Sequence, residues 1–170
     1  STWRICACWC DGKTSTMRMI GAVSPVTAGT LEILGMDPAV DGSRIRDRIG
    51  VCPQEDTLDI ELTLEENLYI YGRYFDLPAK VIRQRIDELL SFVQLSERRT
   101  DKVEPLSGGM KRRLTIARSL INQPELMILD EPTTGLDPQA RHLVWDRLYR
   151  LKQQGATLII TTHYMDEAEQ

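Results

Sequence analysis

The stretch from Leu106 to Pro138, LSGGMKRRLTIARSLINQPELMILDEPTTGLDP, narrows the folds open to this chain more than any other. A Ser-Gly-Gly turn leads into a helix through Leu114, Ile116, Ala117, Leu120 and Ile121, with Ser107 as the expected N-cap. Gly108 and Gly109 allow a close backbone approach. The free N–H groups and partial positive charge of such a helix start suit an anion. Leu126–Leu129 follows without a polar residue, the pattern of a strand buried on both faces of a parallel sheet. Asp130 and Glu131 then fall at the carboxyl end of that strand, where open α/β sheets bind ligands.

A tight acidic turn, Gly135-Leu136-Asp137-Pro138, closes the stretch. Each signal alone is common. In this order and at this spacing they resemble the ATP-binding cassette (ABC) ATPases. The resemblance implies that Asp130 holds Mg²⁺, an ion that prefers oxygen ligands and keeps several waters. It implies that Glu131 orients the attacking water. Asp137 falls in the loop that in this family crosses between two ATPase subunits.

The 170 residues suffice for one domain with a core, and 42% apolar with 27% charged residues is ordinary for a globular protein. A net charge of −4 gives no electrostatic case for a nucleic-acid partner. The basic run Lys111-Arg112-Arg113 reads as a solvated helix face. No apolar run approaches the ~18–20 residues of a membrane helix, and no secretory signal is evident. Cys6, Cys8 and Cys10 are closer together than the usual zinc pairs, and no downstream His or Cys pair answers them.

Near the N-terminus, Gly12-Lys13-Thr14 matches the end of the phosphate-binding loop G-x-x-x-x-G-K-[ST]. A helix from about Thr14 would set its N-terminus on the phosphates. Gly12, Lys13, Thr14 and Ser15 are the candidate nucleotide contacts, with the Thr14 hydroxyl also on Mg²⁺. The first glycine of the pattern falls on Ala7, the glycine usual two residues before the last falls on Cys10, and Trp9 adds bulk. The glycines let N–H groups curl around phosphate. Two readings therefore stay open, a tolerated variant loop and a defective one in a non-catalytic fragment.

Thr30–Ile33 is strand-like and Arg44–Arg48 is expected as a short helix. Ile49–Cys52 reads as a short strand leading to Pro53-Gln54. In the family a glutamine here contacts Mg²⁺ or the attacking water, so the resemblance makes Gln54 both a catalytic and a metal candidate. Thr63-Leu64-Glu65-Glu66 is a capping box. Pro78 opens a second helix with Val81, Ile82, Ile86, Leu89, Leu90 and Val93 on one face. Tyr69, Tyr71, Tyr74 and Phe75 lie where the family docks its membrane subunit; core packing and partner contact are both open for them.

Pro138–Gln154 is expected as a helix, with Leu143, Val144, Leu148 and Leu151 inward and Gly155 at its end. Ala156–Thr162 reads as another buried strand. It delivers His163, which matches the family's γ-phosphate histidine.

The resemblance runs from Gly12 to the end and leans toward the drug-resistance and nodulation-type exporters. It implies an α/β fold: a P-loop NTPase (RecA-like) parallel core, about residues 1–53 and 122–170. A helical subdomain is inserted at about 54–121, and the N-terminal antiparallel sheet is largely missing, as in a chain truncated at both ends. It further implies ATP and Mg²⁺ as cofactors, a second ATPase subunit and a membrane permease as partners, and a place on the inner face of the cell membrane. Catalytic candidates are Gln54, Glu131 and His163, while Ser107, Gly108 and Gly109 would act on the partner's nucleotide. A soluble relative acting on DNA or ribosomes is the alternative. Only about fifty residues separate Gln54 from Ser107, too few for the long coiled coil of DNA-repair relatives.

Overall fold

The structure is a computed structural model and describes residues 3–6, 13–26 and 28–162. Four parallel strands form one sheet in the order β1-β4-β3-β2: β1 Trp3–Cys6, β2 Ile49–Cys52, β3 Leu126–Asp130 and β4 Thr157–Thr161. The register pairs Ile49 with Leu126 and Cys52 with Leu129, and Asp130 with Thr161. Every strand pair among the described residues is parallel, so each return path is a crossover through helices. β3 sits centrally and is buried from Leu126 to Leu129, as its lack of polar residues requires.

The helices are α1 Lys13–Ile20, α2 Pro38–Arg48, α3 Leu64–Tyr74, α4 Ala79–Phe92, α5 Gly108–Ser119 and α6 Pro138–Gln153. The capping box at α3 is complete. The Thr63 hydroxyl accepts from the Glu66 N–H at 3.2 Å, and the Glu66 carboxylate accepts from the Thr63 N–H at 2.8 Å. In α4, Ile82, Ile86 and Leu90 are fully buried at the expected spacing, each worth about 1.5–3 kcal/mol of apolar burial. They pack with Leu64, Leu68, Leu114 and Ile121 in a core that lies off the sheet and joins α3, α4 and α5. A second core fills the space between the sheet and α5 and α6, around Ile116, Met127, Val144, Leu148 and Ile160. A third joins α1 and α2 to β2 and β3 through Met17, Ile45, Ile49 and Ile128.

Two local expectations fail. Thr30–Ile33 forms no strand. Its apolar end instead enters a tight turn in which Leu34 and Gly35 both take positive φ, 52° and 75°, and only Ile33 and Met36 pair across it. The helix placed at Arg44–Arg48 begins earlier, at Pro38. The Asp37 carboxylate caps it by accepting from the Ala39 N–H at 2.8 Å, and Pro38 suits the first turn. Gly50 was read only as part of a strand, but a Cβ there would meet Met127 Sδ at 2.5 Å and Pro124 Cγ at 2.9 Å. Its missing side chain is what lets the end of α5 and the loop into β3 close on β2. No helix among the described residues is long and apolar enough to cross a membrane.

Candidate functional site

β2 and β3 are neighbours, with Cys52 paired to Leu129, so Gln54 just past β2 lies near Asp130 at the end of β3 and Glu131 just past it. The Gln54 Nε2 donates to Glu131 Oε2 at 3.2 Å, and the Thr134 hydroxyl donates to the same oxygen at 3.1 Å. Glu131 is only 9% exposed, and its backbone is left-handed at φ 47°. A residue with a Cβ pays about 1–3 kcal/mol for such a conformation, so its surroundings must impose it. On one side the Glu131 N–H donates to both the carbonyl and the hydroxyl of Thr161, each at 3.1 Å. The same hydroxyl donates to Asp130 Oδ1. Thr161, at the end of β4, therefore fixes both acids at once.

On the other side lies Arg112, 4% exposed. It donates from Nε to the Pro132 carbonyl at 2.9 Å and from Nη2 to the Asp130 carbonyl at 2.9 Å. Its Nη1 reaches the carbonyls of Pro53 and of Gln54, the latter at 3.3 Å. The basic run is thus not a solvated face. Arg113 donates to the Val93 carbonyl at 2.8 Å, and burial holds its guanidinium below the ordinary arginine range. The polar stripe continues down α5. The Thr115 hydroxyl donates to Asp56 at 3.1 Å, and Arg118 donates to the Thr57 carbonyl at 2.6 Å while lying 4.8 Å from the centre of the Tyr71 ring. Beneath the site, burial pushes the Cys52 thiol up to about 11, so it is neutral at pH 7.

The start of α5 behaves as its sequence suggests in one respect: the Ser107 hydroxyl accepts from the Met110 N–H at 3.3 Å. Its two glycines differ, however. A Cβ on Gly108 would meet nothing within 4 Å, whereas one on Gly109 would meet Ala140 Cβ at 2.7 Å. Gly109 is small because α6 packs on it, and only Gly108 offers open backbone. Asp137 caps α6, its carboxylate accepting from the Ala140 N–H at 2.9 Å. Among Tyr69, Tyr71, Tyr74 and Phe75, three lean on the helical core and Tyr74 is 76% exposed.

The structure therefore brings Gln54, Asp130 and Glu131 together. Lys13 and Thr14 open α1, which packs against β3, and Ser15 is exposed in the first turn of α1. Ser107, Gly108, Gly109 and Asp137 lie at the adjoining starts of α5 and α6. Gly12, His163 and the variant positions Ala7, Trp9 and Cys10 lie outside the described residues. Sequence reasoning missed Thr161, Thr134 and Arg112. The signal available for Arg112 was its spacing from Thr115 and Arg118, three polar residues at i, i+3 and i+6 along one side of the helix.

Compared with known proteins, residues 11–134 match the family model described as ABC transporter. The Nod factor export ATP-binding protein I of Ralstonia nicotianae is 53% identical over 158 residues, which cover 93% of this chain and 49% of that protein. Its counterpart in Cupriavidus metallidurans is 51% identical over 158 residues, covering 93% and 52%. The chain thus spans about half the length of the curated relatives it matches. Among solved structures, CbiO1 from Clostridium perfringens, part of the ABC transporter complex CbiONQ, has a TM-score of 0.85 at 26% identity, covering 96% of this chain and 67% of that one. A dimeric ATP-binding cassette in a post-hydrolysis state, bound to ADP and Pi, has a TM-score of 0.80 at 27% identity, covering 91% and 71%.

Proposed function

The chain belongs to the ABC transporter family, and from that premise we propose that it binds Mg-ATP and hydrolyses it as the power subunit of a membrane exporter. The observation that carries the reading is the contact between Gln54 and Glu131, 3.2 Å apart and beside Asp130 at the ends of adjacent strands. Two acids with different surroundings can divide the work. Asp130 has one oxygen engaged by Thr161, and with the Gln54 side chain beside it offers the hard oxygen donors that suit Mg²⁺; in this reading Thr14 would complete the set. The ion, when bound, balances charge on the phosphates.

The protein's own residues do the rest. Lys13 holds the β- and γ-phosphates, with Gly12, Thr14 and Ser15 lining the loop and helix start. Glu131, fixed by Thr161 and Thr134, orients the attacking water and takes its proton as the water oxygen bonds to the γ-phosphorus, in line with the breaking bond to the bridging oxygen, which leaves on ADP. Gln54 shares that water and loses its present bond to Glu131 when it does so. His163, matching the family's γ-phosphate histidine in sequence, contacts the γ-phosphate in this reading.

In this reading residues 54–121 are a helical subdomain inserted between core segments at about 1–53 and 122–170. Ser107 and Gly108 offer helix N–H groups to the nucleotide of a second ATPase subunit, and Asp137 lies at the crossing between the two. Tyr74, with its neighbours on α3, meets a permease, which places the protein on the inner face of the cell membrane. The similarity to Nod factor export ATP-binding proteins favours export over import. Calorimetric titration of Mg-ATP into the chain, beside Lys13→Ala, tests the reading. Binding at micromolar to millimolar levels that vanishes in the variant supports it, and heat that is absent or unchanged by the variant sinks it.

A further inference from the structure

Arg112 is anchored differently from every other residue at the site. Its bonds run to the backbone carbonyls of Pro53, Gln54, Asp130 and Pro132, so it grips the loop that carries Gln54 and both sides of Glu131. It is rooted in α5, one turn after Ser107–Gly109. A bond to a charged donor is about twice as strong as a neutral one, and here the guanidinium is nearly sealed from water. A planar fork can serve carbonyls on two chain segments at once, and an ammonium on a single stem cannot.

We propose that Arg112 is the positioning residue that locks the Gln54 loop and the Glu131 turn into one unit with α5. The left-handed backbone of Glu131 and its short reach to Gln54 both depend on that lock. Any displacement of the start of α5 is therefore felt at the hydrolytic pair through this side chain, which also stands 4.0 Å from the Asp56 carboxylate on the Gln54 loop. Thr115 and Arg118 extend the grip along the same loop, to Asp56 and Thr57. The proposal rests on the reading of Gln54 and Glu131 given above.

Amide hydrogen exchange on the 170-residue chain, wild type against Arg112→Met and Arg112→Lys, tests the lock directly. Exchange across residues 53–57 and 131–134 is expected to rise together, by about tenfold or more, in both variants. The α3–α4 pair keeps its wild-type protection. Phosphate release is read in parallel: kcat falls in both variants while KM for ATP stays within about twofold, because the Arg112 hydrogen bonds among the described residues run to the carbonyls beside Gln54 and Glu131. Wild-type exchange in either segment, rescue by lysine, or failure of both variants to fold would overturn the assignment. A wild-type chain that releases no phosphate removes the hydrolytic reading instead, and the exchange result still decides whether Arg112 holds the two loops.

Discussion

Replacing Gly109 by alanine should destabilise the chain, while the same change at Gly108 should not. The added methyl on Gly109 would stand 2.7 Å from Ala140 Cβ, and two aliphatic carbons settle at about 3.5–4.0 Å. The starts of α5 and α6 must then part by about 1 Å. That move pulls on the Asp137 cap and on Trp145 and Val144 behind it, and neither Ala140 nor the α5 backbone can swing away. Overpacking of this kind costs about 1–3 kcal/mol, against which alanine regains up to about 1 kcal/mol of helix propensity. With the full propensity gain the net loss is about 0–2 kcal/mol, or up to about 8 °C in Tm for a chain of this size. At Gly108 the new methyl meets nothing, so only the propensity gain remains and Tm stays level or rises by up to about 3 °C. Thermal unfolding followed by circular dichroism decides. Equal Tm values, or a fall at Gly108, would refute the division of the two glycines into one that packs and one that stays open. In an ATP-driven association assay the order reverses, with Gly108→Ala losing dimer although its fold is intact.

Other outcomes follow from single contacts. Glu131→Gly relieves about 1–3 kcal/mol of backbone strain but gives up the bonds from Gln54 and Thr134, so Tm moves by less than about 4 °C while phosphate release disappears. Thr63→Ala breaks the capping box and costs about 1 kcal/mol in urea unfolding. The Arg99 guanidinium, bonded to Glu65 at 2.6 and 2.8 Å, holds that carboxyl below its ordinary range. Stability from this pair is complete above the usual glutamate value of about 4.3 and is lost as pH falls through the lower folded value. Glu65→Gln should therefore flatten the acid limb of unfolding by about 0.5 kcal/mol after solvent screening, and an unchanged limb counts against the pair.

Patterns that depend on periodicity were plain in the sequence. β2, β3 and β4 are short apolar runs ending at polar residues, and α4 shows its buried face at spacings of three and four. The capping box at Thr63 and the caps at Ser107 and Asp137 are local chemistry, so four residues were enough to read them. Arg112 was not legible as a clasp because its partners are carbonyl oxygens, which every residue carries and no sequence distinguishes. Gly108 and Gly109 look alike for a related reason: what separates them is Ala140, brought near only by the packing of α6. Thr30–Ile33 misled because its β-branched residues suit a strand, while the turn at Leu34-Gly35 ends any pairing after one contact. Thr161 was hidden in a strand whose apolar pattern it merely completes. Its hydroxyl matters only because β4 lies beside β3 in register with Asp130.

The role proposed for Glu131 is to act on water rather than to bind nucleotide. Single-turnover phosphate release from Mg-ATP, wild type against Glu131→Gln with ATP affinity measured on both, separates the two. The structure predicts affinities within about twofold, and release by the wild type alone. Equal release from both proteins would contradict it, as would a variant that no longer binds ATP.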